Sequence, residues 1–372
     1  MNLSYWEIKS WLSNIHFTIV GSGIVGLTCA LQLKERFPKA NILILEQGVL
    51  PQGASTKNAG FACFGSLSEV IEDLKIHTED EVLGLIKKRV DGLNLLKQTL
   101  GEKALGYKNY GGYELFLQQD DLYESCLSQI HQVNQFLKPI FNVPVYSEKP
   151  NSFQFKNIKE HYIFNAFEGQ IDTGLMMESL LKKAQCIGIK ILNNCLVEGF
   201  EEQGQLVKIK TSFFEFSSSK LLIATNGFAE QLVHEDVKPA RAQVLITKPI
   251  KNLRIKGTFH LDKGYYYFRN IDNRILFGGG RNLDFKGEET TEFGQTTQIQ
   301  DSLERLLKTV ILPHTPFEIE HRWSGIMGVG PQKKAIVKPL SDRVFCGVRL
   351  GGMGIAIGSL VGKELADLAH NN

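Results

Sequence analysis

The run Ile19-Val20-Gly21-Ser22-Gly23-Ile24-Val25-Gly26, with Glu46 further along, is the part of this chain whose residue types and spacing are best suited to chemistry. Gly21 permits a tight turn, Gly23 lets the backbone approach a pyrophosphate, and Gly26 lets a helix pack closely on the preceding strand. The helix that follows presents unpaired N–H groups and its positive dipole end to the phosphates. Asn41-Ile42-Leu43-Ile44-Leu45 reads as a second buried parallel strand ending at Glu46, a carboxylate placed to accept hydrogen bonds from ribose hydroxyls. Glycines recur in ordinary turns, but strand, glycine turn, helix, second strand and acid in this order predict a dinucleotide site.

Other stretches carry candidate groups. Gly53-Ala54-Ser55-Thr56-Lys57-Asn58-Ala59-Gly60-Phe61 is a small-residue loop that can lay N–H groups and hydroxyls against phosphate or a flat ring. On 265–269, alternation puts Tyr265, Tyr267 and Arg269 on one face and Tyr266 and Phe268 on the other. That first face is either an apolar wall with polar tips, suited to a small amine, or part of an aromatic-rich core strand. Arg241 and Arg281 read as solvated or sheet-edge cations. His234, His260 and His314 stand alone, and no histidine has metal-ligand spacing, so no metal is expected.

The elements that must position these groups follow from periodicity. Apolar residues at three-and-four spacing predict helix from Ser66 to about Gly101, and again from Asp120 to Leu137. A further helix is expected from Gly174 to Cys186, with Asp172 or Thr173 as its N-cap. Strands are expected at Tyr110–Leu117, Gly188–Leu192, Cys195–Val197, Leu206–Thr211, Phe213–Phe216 and Lys220–Ala224, the last opening into the turn Thr225-Asn226-Gly227. From Arg241 to about Glu320 the pattern is antiparallel sheet interrupted by a helix near Thr296–Val310. Phe345–Ala356 is a second strand, glycine turn and helix unit, continuing to about Ala369.

Composition narrows the classes. With 42 basic and 40 acidic residues the net charge is +2, and no basic stripe with interleaved aromatics argues for a nucleic-acid partner. The six cysteines are scattered without paired spacing, so each reads as a reduced, buried thiol in a cytoplasmic protein. No apolar run is long enough to span a bilayer. Residues 1–13 read as an extension bearing an amphipathic helix that lies on the domain, with no signal-peptide pattern.

Taken in order, the glycine-rich start, the Ala54–Gly60 loop, the Ala224–Gly227 turn and the terminal Gly351-Gly352-Met353-Gly354 block resemble the D-amino-acid oxidase superfamily of FAD-dependent oxidoreductases. Glycine oxidase and sarcosine oxidase are members, and the resemblance runs from about Phe17 to Leu368. It implies an α/β protein: a Rossmann-like FAD-binding domain interleaved with an α+β substrate domain on a large mixed or antiparallel sheet. The domains would be residues 14–76, 165–240 and 321–372 for FAD, and 77–164 and 241–320 for substrate. It implies Gly21, Gly23, Ile24, Val25 and Gly26 at the pyrophosphate, Glu46 and Gln47 at the adenosine ribose, and Val197 at the adenine. Ser55, Thr56, Asn58, Ala59 and Gly60 would run along the pyrophosphate toward the flavin. Gly352, Met353, Gly354 and Ile355 would pass the pyrimidine end of the ring, where a helix N-terminus stabilises charge on the reduced flavin. Thr225 and Asn226 are either cofactor contacts or a plain sheet-edge turn.

On the substrate side the pattern departs from the family. Glycine-oxidase-like members carry a carboxylate-clamping arginine shortly after Trp-x-Gly. Here the run is Trp323-Ser324-Gly325-Ile326-Met327-Gly328, with Met327 at that position and Gly352 at a second one. Arg322 or Arg349 is then expected to supply the charge, unless the substrate lacks a carboxylate. Tyr265 matches an active-site tyrosine of the family, and Tyr267 shares its face. Ile326–Lys338 holds no cysteine, so the FAD is expected to be non-covalent. The implied reaction is oxidation of a C–N bond in a small amine or amino acid, its α C–H about 3–3.5 Å from flavin N5. A hydride equivalent passes to N5 and the imine is hydrolysed, with oxygen or an electron carrier as oxidant and no lysine evident beside the ring. The alternatives are a flavin-dependent tRNA-modifying protein of the same fold and a catalytically silent FAD-binding module.

Overall fold

The run Ile15–Val20 is buried at every position but His16, as suits a strand covered on both sides, and it lies at the centre of an eight-stranded sheet. It pairs in parallel with Ile42–Leu45 on one edge and Glu215–Ile223 on the other. Val344–Val348 and Lys190–Leu192 extend the parallel set outward. Ile336–Pro339 closes one end antiparallel, and the hairpin Val197–Gln203 and Leu206–Thr211 pairs antiparallel with Glu215–Ile223. The structure is a computed structural model and describes residues 2–371.

Close helix contacts cover this sheet. Helix Ile24–Arg36 packs against the terminal helix Gly354–Asn371, where a Cβ at Gly362 would stand 2.6 Å from the Val25 carbonyl oxygen. Helix Glu79–Leu100 meets the same terminal helix at Gly92, whose Cβ would lie 2.1 Å from the Ala356 carbonyl. Small residues there let the backbones approach and bury Leu27, Leu33, Val361 and Leu365 completely or nearly so.

The second eight-stranded sheet runs Ile319–Val329, Lys238–Thr247, Arg274–Gly279, Tyr266–Ile271, Thr258–Leu261, Gly112–Leu115, His161–Asn165, Tyr146–Pro150. All neighbours are antiparallel except Thr258–Leu261 with Gly112–Leu115. Its back face stacks Phe259, Phe268 and Phe277 against Ile299 and Leu303 of helix Thr297–Leu306. Tyr267 and His260, on the opposite face, look toward the first sheet's carboxyl edge. The alternation expected for 265–269 therefore holds, with Tyr266 and Phe268 in the back core.

Several expectations change. The helix read from Ser66 to Gly101 is two, Leu67–Ile76 and Glu79–Leu100, because Thr78 and Glu81 form a second capping box after the one of Ser66 and Glu69. Phe213–Phe216 and Lys220–Ala224 are not separate strands: Glu215–Ile223 is continuous, turning from its hairpin partner to Ile15–Val20 at Ser218. The boundary at 320/321 falls inside Ile319–Val329, which pairs with Lys238–Thr247 from Lys238↔Val329 to Thr247↔Ile319. Residues 321–329 thus lie in the second sheet, because an unbroken ladder holds them there. At the N-terminus, Tyr5–Glu7 and Ile8–Leu12 form short helical turns with no buried residue, and Tyr5, Trp6, Ile8 and Trp11 are exposed. Lys190 Nζ ties them down through the Ser10 carbonyl. All six cysteines are unpaired, and Cys186 is exposed rather than buried. Among the described residues, no helix is long and apolar enough to cross a membrane.

Candidate active site

The parallel strands end together at one edge. There Gly21, with φ +104°, turns the chain so tightly that a Cβ would meet the Ala224 carbonyl oxygen at 2.8 Å. Beyond this edge, facing the front of the second sheet, lies a cavity of about 700 Å³. Gly21, Gly23, Ile24 and Val25 form its floor at the N-terminus of helix Ile24–Arg36, and the Ser55 hydroxyl accepts from Ile24 N–H at 2.9 Å. Glu46 is buried beside them, accepting from Ser22 N–H (3.0 Å), Ser22 Oγ–H (2.7 Å), Gly48 N–H (3.0 Å) and Gln52 N–H (3.3 Å). Gln47 and Val197 wall the same end.

From Ala54 to Gly60 the loop runs along the cavity, braced by Asn58. Its Nδ2 donates to the Ala54 and Ser55 carbonyls (3.1 and 2.9 Å), while Oδ1 accepts from Gly60 N–H (2.8 Å) and the Thr173 hydroxyl (2.9 Å). Opposite, Gly352, Met353, Gly354 and Ile355 line the entry to the terminal helix. Thr225 and Asn226 line the cavity too, and the Thr225 hydroxyl is buried without a partner.

Where the cavity reaches the second sheet it becomes a chamber. Phe61 meets His260 and Tyr267 edge-on, with ring centroids 5.2 and 5.6 Å apart. Tyr267 lies over Gly278, where a Cβ would stand 2.7 Å from its ring. Burial pushes the Tyr267 phenol up to about 12, so its hydroxyl stays protonated. Arg281 is half-buried on this wall, stacked 4.7 Å over Phe285, and among the described residues its guanidinium meets no carboxylate or hydrogen-bond acceptor. Burial lowers its pKa, and the charges of Tyr265, Glu288 and Glu289, none of them in contact with the guanidinium, offset this only in part. Lys57, Lys263 and Lys333 also reach the wall; Lys263 lies 3.7 Å from Glu72, and Lys333 pairs with Asp73 at 2.6 Å.

Residues 16–368 match the sequence profile of the DAO family, described as FAD dependent oxidoreductase. The chain belongs to this family. Its relative OrdL of Haemophilus influenzae, a probable oxidoreductase, is 19% identical over 94% of this chain and 81% of its own length. Glycine oxidase from Bacillus cereus superposes with a TM-score of 0.77 at 15% identity, covering 96% of this chain and 97% of its own. L-amino acid deaminase from Proteus myxofaciens, solved with anthranilate, gives 0.75 at 17% identity, covering 96% and 90%. The protein is therefore an FAD-dependent oxidoreductase. The cavity fits that group: glycines clear the floor and an orphaned Thr225 hydroxyl awaits an acceptor.

Most residues expected at the cofactor line this cavity, and the exceptions have physical causes. Gly26 stands behind the wall, its Cβ position only 2.0 Å from the Gly21 carbonyl oxygen, so it serves helix–strand packing. Thr56 turns away, its hydroxyl donating to Pro51 and Gly53 carbonyls at 2.8 and 3.2 Å. Arg322 is not in the chamber: its guanidinium binds Gln300 and Glu304 (2.6 Å) of helix Thr297–Leu306, on the back of the sheet. Arg349 is also spent, donating to the Lys334 and Asp236 carbonyls at 3.0 and 3.2 Å. Arg241 is a paired sheet cation, held by Glu288 at 2.9 Å. Arg281, read as the same kind of cation, faces the chamber. Its position after the glycine run Gly278–Gly280 was the available signal, since Gly280 turns the chain left-handed (φ +78°) there. His260 does not stand alone: its Nε2 lies 3.0 Å from both oxygens of Glu168. Lys57, inside the small-residue loop, is a cavity lysine that was not singled out.

Proposed function

We propose that this protein oxidises the C–N bond of a small amine bearing a carboxylate, with FAD held non-covalently. The observation that carries the reading is Arg281, an unpartnered, half-buried guanidinium on an aromatic wall continuous with the FAD cradle. A cation so placed has no carboxylate in contact with it, and a planar carboxylate is the ligand its fork geometry matches. FAD, when bound, supplies the two-electron acceptor for the oxidation. The backbone N–H group of Val25 would receive its phosphates, and a ribose hydroxyl at Glu46 would take the place of the Ser22 hydroxyl. Cys63 and Cys195 wall the cavity, but burial pushes both thiols up, leaving them protonated and poor nucleophiles for a covalent tether.

Tyr265, Tyr267 and Phe61 would enclose the substrate's carbon skeleton, exclude water and fix its orientation while Arg281 anchors the carboxylate. The substrate reacts as the neutral amine, and the product imine hydrolyses to a carbonyl compound and ammonia or a smaller amine. Six unpaired thiols fit a reducing compartment such as the cytoplasm. Anaerobic mixing of the holoprotein with a panel of amino acids and simple amines, followed at the flavin band near about 450 nm, tests the reading. Bleaching by carboxylate-bearing amines supports it; bleaching only by amines without a carboxylate, or by none of the panel, overturns it.

A further inference from the structure

Glu168 and His260 form a buried dyad that neither the cofactor cradle nor the carboxylate anchor uses. Glu168 is 1% exposed and His260 6%. The carboxylate sits in a space the fold leaves open for it: a Cβ at Gly112 would lie 1.5 Å from Glu168 Oε2. It is held by the Thr258 hydroxyl at 3.0 Å and by His260 Nε2 at 3.0 Å. With Nε2–H donated to Glu168, the other ring nitrogen, Nδ1, has no partner among the described residues, and His260 is part of the chamber wall. A carboxylate accepting from one imidazole nitrogen fixes the ring and governs whether the other nitrogen carries a proton.

We propose that Glu168 acts as a positioning residue that keeps a proton on His260 Nδ1, and that this N–H is a second donor, beside Arg281, for the carboxylate of the bound substrate. The inference rests on the reading of the chamber as a carboxylate site and adds its pH dependence. Burial alone would lower the His260 pKa. The Glu168 carboxylate outweighs it, with Glu69 and Glu114 adding to the pull, and lifts the value to about 9. The remaining groups facing His260 titrate elsewhere: Tyr267, across the strand pair, at about 12, and Cys63, beside Glu168, well above the usual thiol range. Arg89, the other cation near Cys63, donates to the Phe64 carbonyl at 2.6 Å. Within this cluster, His260 is the group that titrates near 9.

The probe is anthranilate, a carboxylate with a weakly basic amine, titrated into the holoprotein between pH 6 and about 10.5 and followed by the flavin absorbance. The dissociation constant should be flat at neutral pH and rise above about 9, levelling at about tenfold once Nδ1 has lost its proton. In H260Q, or in H260N should the first fold poorly, the break should disappear and affinity at neutral pH should fall about tenfold. In E168Q the break should move acidward, to about 6.5 or below, because burial then outweighs the weaker pull of Glu69 and Glu114. A purely structural dyad would weaken binding at every pH and leave the break in place. In R281M affinity should fall across the whole range with the break unmoved. A break that survives in H260Q, or stays near 9 in E168Q, overturns this inference alone. No binding by the wild type, or binding indifferent to R281M, overturns the carboxylate reading and this inference with it.

Discussion

Replacing Arg281 by Met keeps most of the side chain's packing over Phe285 and removes only the charge and its donors. The loss can be estimated in two ways. A carboxylate about 4 Å from the guanidinium gains about 4 kcal/mol at an effective dielectric of 20. A hydrogen bond to a charged group contributes about 1.5–3 kcal/mol net. Because Arg281 is only half-buried, solvent screening favours the lower range, so about 2–3 kcal/mol should be lost. At 1.4 kcal/mol per tenfold, kcat/KM for a carboxylate-bearing substrate should drop about 30- to 150-fold. The control is the same amine with its carboxylate converted to an amide, which should change by less than about threefold. Anaerobic single turnovers, reading flavin bleaching against substrate concentration, separate the two cases. Equal losses for acid and amide would show that Arg281 supports the chamber wall rather than the carboxylate, and no loss for either would remove it from the site.

Gly26→Ala puts a methyl 2.0 Å from the Gly21 carbonyl oxygen and should cost about 1–3 kcal/mol or more in thermal or denaturant unfolding, with loss of bound FAD. Glu46→Gln replaces a carboxylate that accepts from Ser22, Gly48 and Gln52, so at least one donor faces an amide N–H₂; FAD retention on desalting should fall, with about 1–3 kcal/mol lost in stability. His260 contributes a pH-dependent term. Its folded pKa of about 9 exceeds the unfolded value near about 6.5, so its stabilisation is complete below that value, declines as pH rises and is gone above 9. The thermal midpoint of the wild type should therefore approach that of H260Q on moving from pH 6 to about 10, and a constant gap between them would refute the linkage.

Local chemistry was legible along the chain because each signal is closed within a few residues. Asp172 caps helix Thr173–Cys186 through its own side chain, as its position before the helix indicated. The glycine turn at Gly21–Gly26 needs only its own strand and helix to be recognised, and it lies where expected. The alternation of Tyr265–Arg269 assigned faces correctly because the side-chain period of a strand is fixed by the backbone.

What lies on each face was another matter. Arg322 lies within a strand and Arg281 just past the end of one, and apart from the glycine run before Arg281 nothing along the chain shows that Glu304 neutralises the first while the second is open to the chamber. His260 and Glu168 are 92 residues apart, and they meet only because Thr258–Leu261 pairs in parallel with Gly112–Leu115 and Gly112 leaves room for the carboxylate. The sequence by itself determined the nucleotide-binding turn, the helices and the alternation of strands, since those depend on backbone geometry and short-range spacing. Only the tertiary structure decided which cations are already paired and which acid stands behind which imidazole, because charge compensation depends on through-space distance, and chain separation does not encode it.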